Sequence, residues 1–473
     1  MTAAYEDGTE AQRPGPHSFR SRHPTFTASH YRCGVATTVA YSAPVGLLPP
    51  EAGSGPSRPT PTRLRLTAVV LTVAVLALLA VTAASFMEAR ARADTVTSRS
   101  RTAAQAGDLY FALADLDAEA ARLVLLGDGD YQPGDGQYDG NQLSALISYN
   151  QRTAQVDTDL QALAADGTNA AAIVSEITEY RSTADAAIGL DEFPGSTAGA
   201  PLATAIGFYG RATTTMQDVV LPAAAQLRDQ TATEATQAAS DAHTWAIAGL
   251  IGTLLLGVLA VVALVVVQRR FSAMFRRRVN PALLVATAVV IGLFGGAALS
   301  LNATARDASA AGSRLSTYLQ VVSTRADSYD ADGTAVRSVL MPDAFGQAQL
   351  GPEEATVNKD LAGLGSIAED AGAQWTKGPV KDYGQILNAV GQGNTQKALT
   401  IETGTARGED AFDFYDYDQI LQTVDTQRLA DFQAAANGLS NDVGPWLFWP
   451  WILAGVALLL IALAIRPRLA EYS

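Results

Sequence analysis

The chain has 473 residues, a formal charge of −14 and 48% hydrophobic residues. A single cysteine, Cys33, excludes an internal disulfide framework and a cysteine-based metal site, and His17, His23, His30 and His243 have no metal-ligand spacing. No Walker loop, GxSxG elbow, HExxH or kinase signature is present, so no enzyme activity and no catalytic, cofactor-binding or metal residue is expected.

Residues 1–62 are rich in Pro, Ser, Thr and Gly without an apolar period, and they are expected to form a disordered tail. Thr60 and Thr62 lie beside basic residues and are candidate phosphorylation sites. Four apolar runs follow: Leu66–Ser85, Trp245–Val267, Pro281–Leu301 and Trp446–Ile465. Each is about twenty residues, enough to cross a hydrocarbon core as a helix. The first run begins too far from the start of the chain for a secretory signal and continues into "SFMEARARADTV", so it reads as a retained span. The runs divide the chain into spans at 63–87, 245–267, 281–301 and 446–465, a basic loop at 268–280, a tail at 466–473, and two long segments at 88–244 and 302–445.

Charge orients the spans. The flank "SRPTPTRLRL", the loop with Arg269, Arg270, Arg276, Arg277 and Arg278, and the end "RPRLAEYS" are all basic. The positive-inside rule therefore places both termini and the loop in the cytoplasm of a multi-pass plasma-membrane protein. The two long segments, with 22 acidic against 9 basic and 20 acidic against 10 basic residues, then lie outside. Trp245, Trp446, Trp449 and Trp451 are expected to form an interfacial aromatic belt.

Both long segments read as helical. Leu109, Leu113, Leu116, Ala120 and Leu123 alternate steps of four and three, and so do Leu315, Leu319, Val322, Ala326 and Tyr329, and Leu429, Phe432, Ala436, Leu439 and Val443. Helices are predicted at 88–127, 142–165, 169–190 and 203–244, and again at 302–341, 352–370, 379–402 and 407–443, with "GAQWTKGP" among the breaks. The fold class is thus an all-α membrane protein with two extracytoplasmic up-and-down four-helix-bundle-like domains, internally duplicated. "DAEAARLVL" (117–125) and "DGTAVRSVL" (332–340) agree at five of nine positions. Three spans continue into the outer helices without proline, whereas Gly444 and Pro445 predict a kink before the fourth. "GLFGG" in the third span reads as a helix-contact patch. The apolar runs lack a buried Asp, Glu, Lys, Arg or His, which argues against a transporter.

Candidate contacts are few. Arg122 and Arg337 could each fork onto a ligand carboxylate, or serve as salt bridges within or upon the bundle. Counting heptads from Leu109 turns Arg122 towards solvent. The stretch "EDAFDFYDYDQI" (409–420), with Asp413, Tyr415 and Tyr417, could receive a partner protein or a cation, or be a solvated helix start. The basic loop adds Phe271, Met274 and Phe275 to its five arginines as a docking strip, besides setting topology and meeting lipid headgroups.

The layout over residues 60–473, with "RRFSAMFRRR" between the halves and a basic C-terminal end, resembles the GlnX-type four-span membrane proteins of actinobacteria. Members are encoded beside a glutamine-binding-type lipoprotein and the Ser/Thr protein kinase G. The resemblance implies an amino-acid-binding lipoprotein as the external partner and the kinase as the internal one; it carries over no binding residue. The expected function is a non-enzymatic transmembrane relay in nutrient sensing. A direct receptor for a small molecule such as an amino acid and an envelope scaffold are the alternatives. A homo-oligomer stays open, and nucleic acid is not an expected partner.

Overall fold

A computed structural model describes residues 60–127, 138–168, 170–191, 196–275 and 281–470, all within one unit, Arg58–Ser473. The disordered-tail expectation for 1–62 falls almost wholly outside the described residues. Helix α1 runs from Thr60 to Leu126, with Pro61 in its first turn, where a missing N–H costs nothing. Its 67 residues reach about 100 Å at 1.5 Å per residue, far beyond one bilayer. It stops at Gly127, whose φ of 63° is open to glycine and whose N–H returns to the Leu123 carbonyl. Helices α2 (Tyr138–Ala165), α3 (Ala171–Asp191) and α4 (Ala203–Thr215) follow. A π-helical turn at Met216–Val220 joins α4 to α5 (Leu221–Phe275), next to Pro222, which cannot donate to the preceding turn.

The second half starts with α6 (Pro281–Leu340), then α7 (Gln347–Leu364), α8 (Glu369–Lys377), α9 (Pro379–Gly391), α10 (Thr395–Thr403), α11 (Asp410–Val443) and α12 (Trp449–Ala470). Two expectations need correction here. The "GAQWTKGP" stretch is mostly helix α8, and its break is confined to Gly378. The single helix expected at 379–402 is two, parted at Gly393 (φ 70°) and restarted by Asn394, whose side chain accepts from the Lys397 N–H. The kink expected at Gly444 and Pro445 is a 3₁₀ turn, Gly444–Leu447. Among the described residues the only β feature is an isolated bridge between Thr197 and Ala200.

Among the described residues four helical stretches are long and apolar enough to cross a membrane, in α1, α4–α5, α6 and α11–α12. The chain is a multi-pass membrane protein. Leu71, Val75, Leu264, Val290, Leu293, Ala457 and Ile461 close a common core among the spans. Their outer faces leave Val73, Leu255, Leu259, Leu284, Leu459 and Leu463 exposed, as a lipid-facing surface does. Within the "GLFGG" patch, the Trp446 ring lies on the Cα side of Gly296, where any Cβ would collide with it. Trp446 also stacks on Phe86 at 5.3 Å, so this tryptophan departs from the expected belt and packs inward, while Trp245, Trp449 and Trp451 stay exposed.

Beyond the spans the helices form a head. The heptad reading pictured one buried stripe per helix in two bundles. Instead one hydrophobic cluster takes residues from both halves, including Leu109, Leu113 and Leu116 of α1 with Leu315, Val322 and Ala326 of α6. From Phe111 to Gly127 every α1 residue except Arg122 is buried, and α6 is buried throughout Ala331–Leu340. These ends are central helices, each covering the other's polar flank.

Candidate functional site

The centre of the head is the crossing of the two matched stretches. Gly333 of α6 meets Ala118 of α1, which holds the same place in the other half; a Cβ on Gly333 would stand 3.2 Å from the Ala118 Cα and Cβ. Small residues let the two backbones approach there. Around that point the pairing is reciprocal. Arg337 Nη1 donates to Asp117 at 2.7 Å, and Arg122 donates to Asp332. The Asp of each stretch holds the Arg of the other, the signature of an isologous contact built within one chain. A tyrosine supports each acid: Tyr180 of α3 donates to Asp117 at 3.2 Å, and Tyr383 of α9 donates to Asp332 at 3.4 Å.

The surroundings then diverge. Asp117 also accepts from Thr213 at 2.8 Å and lies 3.4 Å from Gln217 of the π turn. Arg337, 1% exposed, binds Asp330 as well at 2.9 Å, so this end is polar, buried and well supplied with donors. Asp332 instead has two more acids beside it, Glu402 of α10 and Asp410 of α11, with carboxylate oxygens that all lie within 4.8 Å of one another. All three are fully buried. No donor reaches either oxygen of Glu402 or Asp410 in hydrogen-bonding geometry; Arg122 Nε stands 3.6 Å from Glu402. Burial pushes Glu402 up to about 8, the charge of Asp332 adding to the effect and Arg122 opposing it. Burial likewise raises Glu119 to about 7 and Asp410 well above the usual carboxylate range. The acid cluster borders a cavity of about 240 Å³ between α1 and α2 of one half and α6, α10 and α11 of the other.

The candidate residues separate accordingly. Arg337 is buried away from the cavity in its ion pairs. Arg122 lines the cavity, and its turn towards solvent is a correction: its side chain is 17% exposed and points to Asp332, because α6 covers the flank that a bundle of one half would leave open. The solvated reading of 409–420 is also corrected, since Asp410, Asp413, Phe414, Tyr417 and Asp418 are buried. Tyr415, 62% exposed, stands at the cavity mouth. Tyr417 packs between Trp375 and Phe414, and Asp413 sits against Gly378, both off the cavity lining. Arg269 and Arg270 are exposed near the end of α5. The side chains of Phe271, Met274 and Phe275, and all of Arg276, Arg277 and Arg278, lie outside the described residues.

Residues 92–240 match the family model of an actinobacterial sensor domain. The matched stretch is the first half of the head: the distal part of α1, then α2, α3, α4 and the start of α5. It contains Asp117, Glu119 and Arg122, whereas Arg337, Asp332, Glu402 and Asp410 come from the half outside the match. The chain matches no curated protein and no solved structure. The sensor-domain match fits a signalling or sensing role.

Glu402, Tyr180 and Tyr383 were not singled out from the sequence, whereas Asp410 lies in the 409–420 stretch that was. Asp117 and Asp332 open the two matched stretches, so the repeat itself carried a signal for them. Glu402 carries none, being one acid in a chain that has 47.

Proposed function

We propose that this protein is a non-enzymatic transmembrane signal relay, with its head outside the plasma membrane and its termini in the cytoplasm. The carrying observation is continuity: α1 and α6 each run unbroken from a span into the reciprocal Asp–Arg crossing. A change at the crossing is therefore a displacement of two spans, with no joint between to absorb it. The basic flanks support the orientation. In the finer reading, an amino-acid-binding lipoprotein docks on the acidic head, and the strip Arg269–Arg278 changes its hold on a cytoplasmic Ser/Thr kinase. Full-length protein in lipid nanodiscs should capture both partners, and replacing Phe271, Met274 and Phe275 by Ala should release the kinase alone. Spin labels at Met87 on α1 and Leu299 on α6, both exposed, should change separation when the lipoprotein binds. Capture of neither partner overturns the relay.

The cavity favours a second reading, in which the head itself receives a small molecule. Its walls come from both halves, so a ligand there would bias the same crossing without a binding protein.

A further inference from the structure

The second reading leaves open what chemistry the cavity accepts. At about 240 Å³ it is smaller than the roughly 300–1,000 Å³ of pockets for drug-sized ligands, so its occupant is a small metabolite. Its charged lining is Glu119, Arg122, Glu402 and Asp418. Arg122 is spent: Nη1 holds Glu119 at 3.0 Å, Nη2 holds Asp332, and Nε faces Glu402. Every nitrogen of that fork already faces an acid of the chain, so the carboxylate of an amino acid would arrive among Glu119, Glu402 and Asp418. Asp418 is spent as well, clasped by Arg325 at 2.9 and 3.1 Å. Glu402 is the group left over. It is fully buried and lines the cavity, and neither of its oxygens accepts a hydrogen bond, its nearest cation being Arg122 Nε at 3.6 Å, with Asp410 equally undersupplied beside it. The need at this wall is for N–H donors carrying positive charge.

The remaining walls suit the same occupant. Tyr329 and Phe414 meet edge to face at 4.9 Å, and Tyr415 stands at the mouth, so aromatic rings lie across from the acids. An alkylammonium gains from ring faces as well as from carboxylates. A bare divalent ion is the competing occupant, because the oxygens of Asp332, Glu402 and Asp410 are close enough to share one. The Arg122 guanidinium already lies on two of those three acids and would repel it. Such ions also seek six or more oxygen ligands, which aromatic walls do not supply.

We infer that the cavity between the halves binds a small organic ammonium ion, a primary amine without a carboxylate, with Glu402 as its main anchor. The inference rests on the receptor reading of the head and names its ligand class.

Calorimetric titration of the full-length protein in nanodiscs tests it, with 1,4-diaminobutane and 2-phenylethylamine as probes and L-glutamine, L-glutamate and calcium chloride as rivals. At least one amine should bind. Glu402→Gln should weaken it by roughly tenfold or more, the loss of a charge-assisted hydrogen bond. Tyr415→Ala, at an exposed position, should weaken it by roughly two- to fivefold. Ser148→Trp, which fills the cavity from α2, should abolish binding while leaving the melting transition in place. This variant decides the matter if Glu402→Gln does not fold. Failure of both amines to bind, or saturable binding of calcium or of an amino acid that Ser148→Trp removes, overturns the inference. The Met87–Leu299 label pair separates the two levels. Amine binding without a change in their separation upholds the ligand and counts against the relay.

Discussion

Asp117 and Asp332 occupy the same place in two copies of one sequence pattern, yet they live in different chemistry. Both accept from the other half's arginine and from a tyrosine of their own half. Around Asp117 the further neighbours are donors, Thr213 and Gln217. Around Asp332 they are acids, Glu402 and Asp410, with a cavity beyond. The duplicated clamp holds the halves together at both ends. One end is satisfied and serves structure; the other has a surplus of acids and room for a ligand. A repeated motif thus acquires two roles through the residues placed around it.

Breaking the satisfied end should cost most. Arg337→Ala leaves Asp117 buried without its cation and should destabilise the head by about 3–5 kcal/mol, the usual cost of removing one partner of a buried pair. Arg122→Ala should cost clearly less, because Arg122 is partly exposed beside a cavity that water can enter, whereas Arg337 is 1% exposed. Thermal or denaturant melting of the two variants in nanodiscs checks this, and equal losses would erase the distinction between the ends. The double variant Asp117→Ala with Arg337→Ala should recover part of the loss.

The crossing point comes next. Gly333→Val would press side-chain carbons onto Ala118, already within 3.2 Å of an added Cβ, and onto the Arg337 guanidinium. Overpacking of this kind costs about 1–3 kcal/mol and should push α1 and α6 apart, increasing the Met87–Leu299 label separation. An unchanged separation would mean that the head and the spans are uncoupled.

The smallest effect is a pH slope at the acidic end. Glu402 is faced by Glu119 and Arg122 from α1, Asp332 from α6, Tyr383 from α9 and Asp410 from α11. Its carboxyl is raised from 4.5 to about 8, chiefly by burial. Between those values the folded head keeps a proton that the unfolded chain has released. Stability should therefore fall as pH rises from about 4.5 towards about 8, by up to about 1.4 kcal/mol per pH unit for that proton. Glu119, raised to about 7, and Glu353, raised to about 8, act with the same sign. Melting temperatures at pH 5 to 8 should decline in the native protein and decline less steeply in Glu402→Gln. Parallel slopes would show that Glu402 does not hold the proton.

Much of the frame was legible without coordinates. The alternation of Leu109, Leu113 and Leu116 and the apolar runs reported local preferences, and helices with spans at those places followed. The error at Arg122 and the solvated alternative at 409–420 share a cause, burial by helices distant in the chain. Arg122 was turned to solvent because its half was pictured alone and the flank that α6 covers looked free; a solvated helix start was one reading of 409–420 because the covering residues Trp375, Gly378 and Glu402 lie elsewhere in the chain. The acids of 409–420 resembled a solvated patch, whereas only tertiary burial decides whether an acid is an ornament or a group in want of a partner.

The sequence by itself determined the helices, the four membrane-length runs, the unbroken passage of α1 and α6 from span to head, and the repeat that pairs Asp117 with Asp332 and Arg122 with Arg337. These follow from composition and period within a few turns of chain. Only the tertiary structure decided that the two halves share one core, that the repeated ion pairs cross between them, and that Glu402 and Asp410 meet beside a cavity. Such contacts join residues that no local period relates, and the burial that gives them their chemistry comes from helices far away in the chain.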